Sequence, residues 1–476
     1  MKNTFYITTT LPYVNADPHL GHALEFVHAD IIARYKRLLG QEVFFNIGTD
    51  EHGQKILEKA TMEGKRAQEY ADYYALRFRQ FADLLAVSYT NFIRTTDSHH
   101  VAAATEFWKR CDANGDIYKK LYTVKYCVGC ELPKSDSELL GGKCPIHPTT
   151  EIELREEENY FFRFSKYQDA LLKLYNENSD FILPPTRRTE ITKFVERGLQ
   201  DFSISRLKEK MPWGIGVPGD EEHVMYVWFD ALVNYVSAIG WPDDREKFEK
   251  WWPVVQMAGK DNLRQQVAMW QAMLFSAGIT PSKQIIIHGF ITSGGQKMSK
   301  SVGNVFNPVD IVKEYGVDAL RYYLARKITP FEDGDFTIEH FKEVYNADLA
   351  NGLGNLTSRI LKMSALYLDG SVAVENRALT DPEMSEYRQY LDGYEISKAA
   401  DLVWKHIGEL DKHIQETEPF KLIKEDKEKA IEIVRELVKK LHQVSVQLLP
   451  FLPETAAIIQ ESIAANKIIK PLFMRK

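Results

Sequence analysis

The stretch from Thr4 to Gly48 commits the chain to one kind of architecture. "TFYITTT", Thr4 to Thr10, is β-branched and aromatic and reads as a strand. After a loop that runs to Pro18, Leu24, Val27, Ile31, Tyr35 and Leu38 recur at three- and four-residue spacing, an amphipathic helix closed by Gly40. "EVFFNIG", Glu42 to Gly48, reads as the next strand. Strand, helix and strand in that order make a βαβ unit of an α/β fold, whose ligands bind where its strands end.

The start of that helix carries the first candidate site. Asp17 is a good N-cap, and Pro18 suits the first helical position, where its missing N–H would have no partner. His19 and His22 then stand three residues apart on one face of the first turn, beside backbone N–H groups that point at solvent. Such a helix start binds anions.

A chain of 476 residues is too long for one core and suggests about two to four domains. With 44% hydrophobic and 27% charged residues it has an ordinary globular composition. No apolar run approaches membrane-spanning length, and Met1–Thr10 lacks the basic start and apolar core of a signal peptide. A cytoplasmic protein with no membrane partner is expected. The net charge of −7 argues against non-specific coating of nucleic acid, yet leaves room for a local basic face that grips a folded RNA.

Residues 55–113 read as helix-rich. From Gly115 the texture becomes short and turn-rich, with helical patterns returning at Lys166–Asn178 and Thr189–Arg197. "MYVWFDALVNYVSAIG" is apolar and ends in glycine, and "QIIIHGFITS" is strand-like. We therefore read an α/β domain in two halves, residues 1–114 and 224–290, split by an insertion at 115–223. From Ile338 onward, stripes of helical period predict an all-α bundle.

The insertion holds three of the four cysteines. Cys127 and Cys130 are separated by two residues, thirteen follow, and Cys144 and His147 are again separated by two. Three thiolates and an imidazole fill a tetrahedral zinc site with no open position, so one structural Zn2+ per chain is expected. Gly129 and Pro145 suit tight ligand-bearing turns. Cys111 lies outside the set and reads as a buried thiol.

"SGGQKMSKSVGN" places Lys297 and Lys300 three apart behind Gly294 and Gly295, with Ser299 and Ser301 beside them. Two ammonium groups with hydroxyls on a glycine-rich loop suit a polyphosphate. Together with an anion-binding helix start they suggest attack of a carboxylate on the α-phosphate of ATP with loss of pyrophosphate. His19 and His22 would donate to phosphate oxygens while Lys297 and Lys300 close on the departing phosphates.

These residues carry a resemblance. "PHLGH" and "KMSKS" resemble the two signatures of class I aminoacyl-tRNA synthetases. With "TLPYVNADPHLGH", "GTDEHGQKI", the cysteine knuckle, "YVWFDAL", "AGKDNLR" and "IHGFITSGGQKMSKSVGN", the chain is similar to the methionyl-tRNA synthetase family from Thr4 to about Phe451, with the motifs in the family's order.

The resemblance implies a Rossmann-type parallel-sheet catalytic domain split by the zinc-bearing insertion. It adds a stem-contact region with the KMSKS loop at 291–345 and an α-helical anticodon-binding domain at 346–476. It implies methionine, ATP with Mg2+, and initiator and elongator methionine tRNA as partners. The ATP-binding positions would be Asn15, Gly21, His22, Lys297, Ser299 and Lys300, of which His22, Lys297 and Lys300 are catalytic together with His19. The methionine pocket maps onto Leu11, Tyr13, Asp50, Trp228, Ala231 and Tyr235, with Asp50 on the ammonium and the aromatic rings along the thioether. Asn355, Arg359 and Phe420 match anticodon-reading positions.

Two departures stand out. Asn262 and Gln266 occupy the stretch after "GKD" where the family commonly has an aliphatic residue and a histidine near the substrate side chain; Gln266 can hydrogen-bond but cannot titrate. Phe420 stands where many relatives have tryptophan, offering a smaller ring and no N–H. Some members carry a further C-terminal domain that dimerises them; this sequence ends at "IIKPLFMRK", so a monomer is expected. A small nucleotidyltransferase would need neither knuckle nor helical tail. An inactive RNA-binding relative would be expected to have lost a histidine or lysine of the signatures.

Overall fold

The computed structural model describes residues 3–130, 132–134, 139–297, 306–374 and 382–476. Its centre is a six-stranded sheet in the order Asn91–Arg94, Glu42–Thr49, Thr4–Thr9, Val255–Gly259, Gln284–His288, Ile182–Leu183. Every neighbouring pair in it is parallel. Chain order reverses beside Thr4–Thr9, where Ile7 lies opposite Val255. A crevice opens at such a reversal, beyond the strand ends, and the loop to His19 leaves from there. The central strands are buried on both faces, as at Phe45, Ile47, Val255, Met257 and Ile285–Ile287.

Three features differ from the sequence reading. The helix-rich stretch 55–113 also contains the edge strand Asn91–Arg94, four residues too short to show a period of two. The range 115–223 returns Ile182–Leu183 to the far edge of the main sheet. The turn-rich beginning of that range holds a long hairpin, Ile117–Cys127 against Ile152–Phe162, paired from Ile117 opposite Phe162 to Cys127 opposite Ile152. Much of the hairpin faces water, with Leu121 and Leu154 each 71% exposed, so charged residues interrupt the alternation that would announce a strand.

On one side of the sheet the Leu20–Leu38 helix packs against Val317–Arg326, and the same apolar core continues into the helices Ile396–Thr417, Lys427–Leu448 and Pro453–Ala465. Arg321 is fully buried at this junction. It pairs with Asp30 at 2.8 Å and donates to the carbonyls of Leu85, Pro450 and Phe451, so each of the three guanidinium nitrogens has a polar partner. On the other side, Phe107, Trp108, Phe229 and Trp270 form an aromatic cluster.

Two stretches are π-helical, Gln265–Met269 and, inside the region read as helical, Tyr345–Gly354. Among the described residues no helix is long and apolar enough to cross a membrane.

Candidate active site and metal centre

The helix start lies two residues later than its sequence suggests. The helix is Leu20–Leu38 and its N-cap is His19, not Asp17, which is exposed and pairs with Arg77 at 2.5 Å. His19 takes over as cap because its Nδ1 accepts the Gly21 N–H at 3.1 Å, while His22 Nδ1 accepts the His19 N–H at 3.2 Å. An imidazole nitrogen that accepts carries no proton, so in the neutral rings the hydrogens sit on Nε2. The rings stack at 3.8 Å between centroids. A Cβ on Gly21 would stand 3.0 Å from His19 Cε1, so a side chain there would crowd the ring. Burial lowers the His22 pKa well below the usual value, and the neighbouring His19 lowers it further. At His22 the helix start therefore presents a neutral N–H donor. Asn15 lies just upstream, its carbonyl held by the Lys59 ammonium.

One turn further along the helix, Glu25 closes the crevice. Its Oε1 accepts from the Thr10 N–H and hydroxyl, both at 2.6 Å, and its Oε2 meets His288 Nε2 at 2.8 Å. His288 Nδ1 donates to the Gly289 carbonyl at 2.7 Å, so both ring nitrogens face acceptors. Burial opposes the charged ring, but Glu25 outweighs it and the pKa of His288 is raised. This network ties the ends of two parallel strands to the helix that carries His22.

The residues expected to line an amino-acid pocket come from four segments. Tyr13 and Asp50 face each other across a parallel bridge, with the Asp50 N–H on the Pro12 carbonyl at 2.9 Å. A Cβ on Gly53 would lie 2.5 Å from Tyr13 Oη and 3.7 Å from Val227 Cβ, which brings the Val227–Leu232 helix against this pair. That helix carries Trp228, half-buried, and Ala231; Tyr235 follows, fully buried, with its ring 5.7 Å from Trp270. Leu11 is half-buried in the loop before Tyr13. Gln266 is buried on the π-helical stretch, and its side chain bears on the Tyr235 phenol. Asn262 sits in the turn Lys260–Asn262 with its amide on Asp261 at 3.3 Å.

Lys297 ends a short strand pair in which it lies opposite Thr292. The Asp335 carboxylate accepts from the Gly294 and Gly295 N–H groups and from Thr292 Oγ1, holding the turn that leads to it. Ser299 and Lys300 lie outside the described residues.

Cys127, Cys130, Cys144 and His147 come together at the tip of the long hairpin, all four ligand atoms within 4.8 Å of one another. The Cys130 Sγ–Cys144 Sγ distance is 3.3 Å, and His147 Nδ1 lies 3.3 to 4.0 Å from the three sulfurs. Tetrahedral zinc with Zn–S near 2.3 Å separates its ligands by about 3.8 Å, so three thiols and an imidazole in this spacing fit the ion. Gly129 is required by close approach: a Cβ there would stand 2.2 Å from His147 Cγ. Lys55 donates to the Gly129 carbonyl at 2.8 Å and fastens the knuckle to the helix Gln54–Met62.

Comparison with known proteins decides between the readings of this arrangement. The chain matches the family model described as tRNA synthetases class I (M) over residues 5–151 and 137–361, and that of the anticodon binding domain of methionyl tRNA ligase over residues 370–472. It is 40% identical to the methionine–tRNA ligase of Fusobacterium nucleatum, covering 99% of this chain and 76% of the relative. To that of Thermosynechococcus vestitus it is 43% identical, covering 96% and 90%. The solved Mycobacterium tuberculosis methionyl-tRNA synthetase in complex with methionyl-adenylate superposes with a TM-score of 0.91 at 39% identity, over 97% of this chain and 94% of that one. This chain belongs to the methionyl-tRNA synthetase family.

In this synthetase the expected anticodon residues stand in the helical bundle. Asn355 is exposed at the start of Asn355–Tyr367, directly after the π-helical stretch, and Arg359 follows one turn on. Arg359 is paired with Asp411 at 2.6 Å, and Asp411 lies on the helix that runs into the turn bearing Phe420. Phe420 is 41% exposed.

Sequence reasoning did not single out several of the synthetase's buried titratable groups, Glu25, His52, His100, Asp230 and His288. Asp230 is fully buried and accepts from His52 Nδ1 at 2.6 Å and His100 Nε2 at 3.0 Å, on the same helix as Trp228 and Ala231. Burial alone would lower His52 and raise Asp230; their mutual attraction outweighs it, leaving His52 raised and Asp230 lowered. The available signal was a charge set in an apolar run: Asp230 in "YVWFDAL", His288 in "IIIHGF" and Glu25 in "HALEFV".

Proposed function

We propose that this chain is a methionine–tRNA ligase, which activates methionine with ATP and charges initiator and elongator methionine tRNA for protein synthesis. The observation that carries the reading is the pair His19 and His22, both Nδ1 atoms held by the helix start, beside the crevice of a fold shared with the synthetase solved with methionyl-adenylate. A methionine carboxylate oxygen forms a bond to the α-phosphorus as the bond to the β-phosphate oxygen breaks, giving methionyl-adenylate and pyrophosphate. The tRNA terminal ribose hydroxyl then attacks the carbonyl carbon and AMP leaves.

Each residue has a part in this proposal. Nε2–H groups of His19 and His22 donate to the phosphate oxygens as charge builds there, and Gly21 leaves room for the nucleotide at the helix start. Lys297 and Lys300, with Ser299, hold the departing phosphates, and Asn15 lines the ATP site. ATP is taken with its Mg2+. Asp50 pairs with the substrate ammonium; Leu11, Tyr13, Trp228, Ala231 and Tyr235 surround the side chain, with Gln266 behind and Asn262 in the adjacent turn. One Zn2+ on Cys127, Cys130, Cys144 and His147 would serve as a structural clamp of the hairpin. Asn355, Arg359 and Phe420 read the anticodon. The domain limits 1–114, 115–223, 224–290, 291–345 and 346–476 belong to this reading, as do a cytoplasmic location and a monomer. A sedimentation mass near twice 54.9 kDa overturns the monomer.

The decisive experiment is ATP–pyrophosphate exchange with each of the twenty amino acids plus homocysteine, without tRNA. Exchange driven by methionine supports the reading. Preference for another amino acid, or no exchange from folded, zinc-replete protein, overturns it.

A further inference from the structure

Behind Tyr235 lies a line of side-chain amides whose direction is fixed at one end. Ser282, Gln271, Gln256 and Gln266 are all buried. The Ser282 backbone N–H donates to Gln271 Oε1 at 3.0 Å, and because a backbone N–H can only donate, the Gln271 amide cannot be turned round. Its Nε2 donates to the Gln266 carbonyl at 2.8 Å and to Ser282 Oγ at 3.2 Å. The Ser282 hydroxyl, already accepting, gives its one hydrogen to Gln256 Oε1 at 2.5 Å. Gln256 is left with Nε2 toward Gln266 and donates to its Oε1 at 2.7 Å. With the hydroxyl hydrogen on Gln256, the bonds run in one sense from the Ser282 N–H to Gln266. The last amide, Gln266, has its oxygen occupied and its NH2 committed to the other side.

That side meets Tyr235. The Gln266, Gln256 and Asn234 side chains lower the pKa of the phenol, as amide donors facing it do, although burial is the larger influence and raises it. Gln266 Oε1 accepts from Gln256, and the lowering of the phenol pKa by Gln266 is the effect of a donor, so its Nε2 faces the phenol with a second hydrogen to offer. A thioether sulfur only accepts. The protein makes the same contact within its own bundle, where Gln447 Nε2 lies 3.1 Å from Met384 Sδ.

We propose that Gln256, Ser282 and Gln271 are positioning residues for amino-acid selection. They hold the Gln266 amide so that its NH2 faces the substrate side chain, which recognises a sulfur and gains nothing from a methylene in the same place. The inference rests on the methionine reading above. A neutral amide does not titrate, so this discrimination is flat across neutral pH.

Methionine and norleucine, which carries a methylene in place of the sulfur, are compared in ATP–pyrophosphate exchange. Ser282→Ala cuts the link between Gln271 and Gln256 at a distance from the substrate; Ser282→Thr keeps the hydroxyl; Gln256→Leu removes the donor to Gln266. The expected result is a methionine KM raised about fivefold in Ser282→Ala and Gln256→Leu, the effect of one ordinary neutral hydrogen bond. In both variants kcat holds and the norleucine KM does not move, while Ser282→Thr keeps the wild-type ratio. A purely structural role raises both KM values together; that outcome, or an unchanged ratio in both variants, overturns the proposal. Wild-type protein that uses norleucine as well as methionine also overturns it and leaves the methionine reading in place. Wild-type protein that uses neither removes that reading itself.

Discussion

His22 Nδ1 accepts the backbone N–H of His19 at 3.2 Å, so the signature histidine is fastened to the helix that it serves. The bond fixes the tautomer, and burial beside His19 keeps the ring neutral. Removing one preorganised donor of this kind costs about 10²- to 10³-fold in kcat, and that loss is expected for His22→Ala in ATP–pyrophosphate exchange. The folded pKa lies below the unfolded value, so His22 binds its proton only well below about pH 6.5. The kcat profile of the wild type is therefore flat from pH 8 to pH 6.5 as far as this group is concerned. An acidic limb near pH 6.5 that disappears in His22→Asn contradicts the assignment.

Asp230 gives a dependence with the opposite sign. His52 is raised above its unfolded value by Asp230, so its contribution is fully present below about pH 6.5 and is lost as pH rises through the folded pKa. Asp230 is lowered, so its contribution is present above about pH 4 and lost as pH falls through its own folded pKa. Asp230→Asn leaves two buried imidazoles with one accepting oxygen between them, and breaking a buried pair of this kind costs about 3–5 kcal/mol. Denaturant titrations of both proteins should differ most between about pH 4 and pH 6.5 and less at pH 9. A difference that grows toward pH 9 excludes the charged pair as its source.

The knuckle is tested at a residue that is not a ligand. Gly129→Ala places a methyl 2.2 Å from His147 Cγ, so the imidazole must leave its position among the three sulfurs. The expected variant holds well under one zinc per chain and is cut by protease between Cys130 and Cys144, while the parallel sheet melts as before. Chelation of the wild type should reproduce the same cleavage. Full zinc content in Gly129→Ala means that the hairpin tip is built differently.

The parts of this fold that announced themselves are those in which local chemistry alone sets the structure. Four metal ligands at fixed spacing, and apolar stripes closed by Gly40, need no distant partner to be recognised. What stayed hidden depends on residues far apart in the chain. Ile182–Leu183 is a strand only because Ile285 and Ile286 lie beside it. Asp17 has the chemistry of an N-cap, but the distant Arg77 claims its carboxylate and His19 folds back to cap instead. The π-helical stretches at Gln266 and before Asn355 keep a helical composition while widening the turn, a change to which a 3.6-residue period is blind. His52, His100 and Asp230 come from three separate segments, so only the fold shows them to be one group.

Phe420 makes the last test, in the helical bundle. It is 41% exposed in a single helical turn, Pro419–Leu422, that joins the helix carrying Asp411 to the next. The exposed part of the ring offers a face to a stacked base. Stacking on an aromatic side chain is worth about 1–3 kcal/mol per base, so Phe420→Ala should raise the KM for tRNA by about tenfold or more. The effect belongs in aminoacylation, with exchange of pyrophosphate in the absence of tRNA carrying none of it. Phe420→Trp enlarges the ring and adds an N–H donor, and should lower the KM. Loss of both activities together in Phe420→Ala would mean that the ring supports the fold of the bundle and not the grip on the anticodon.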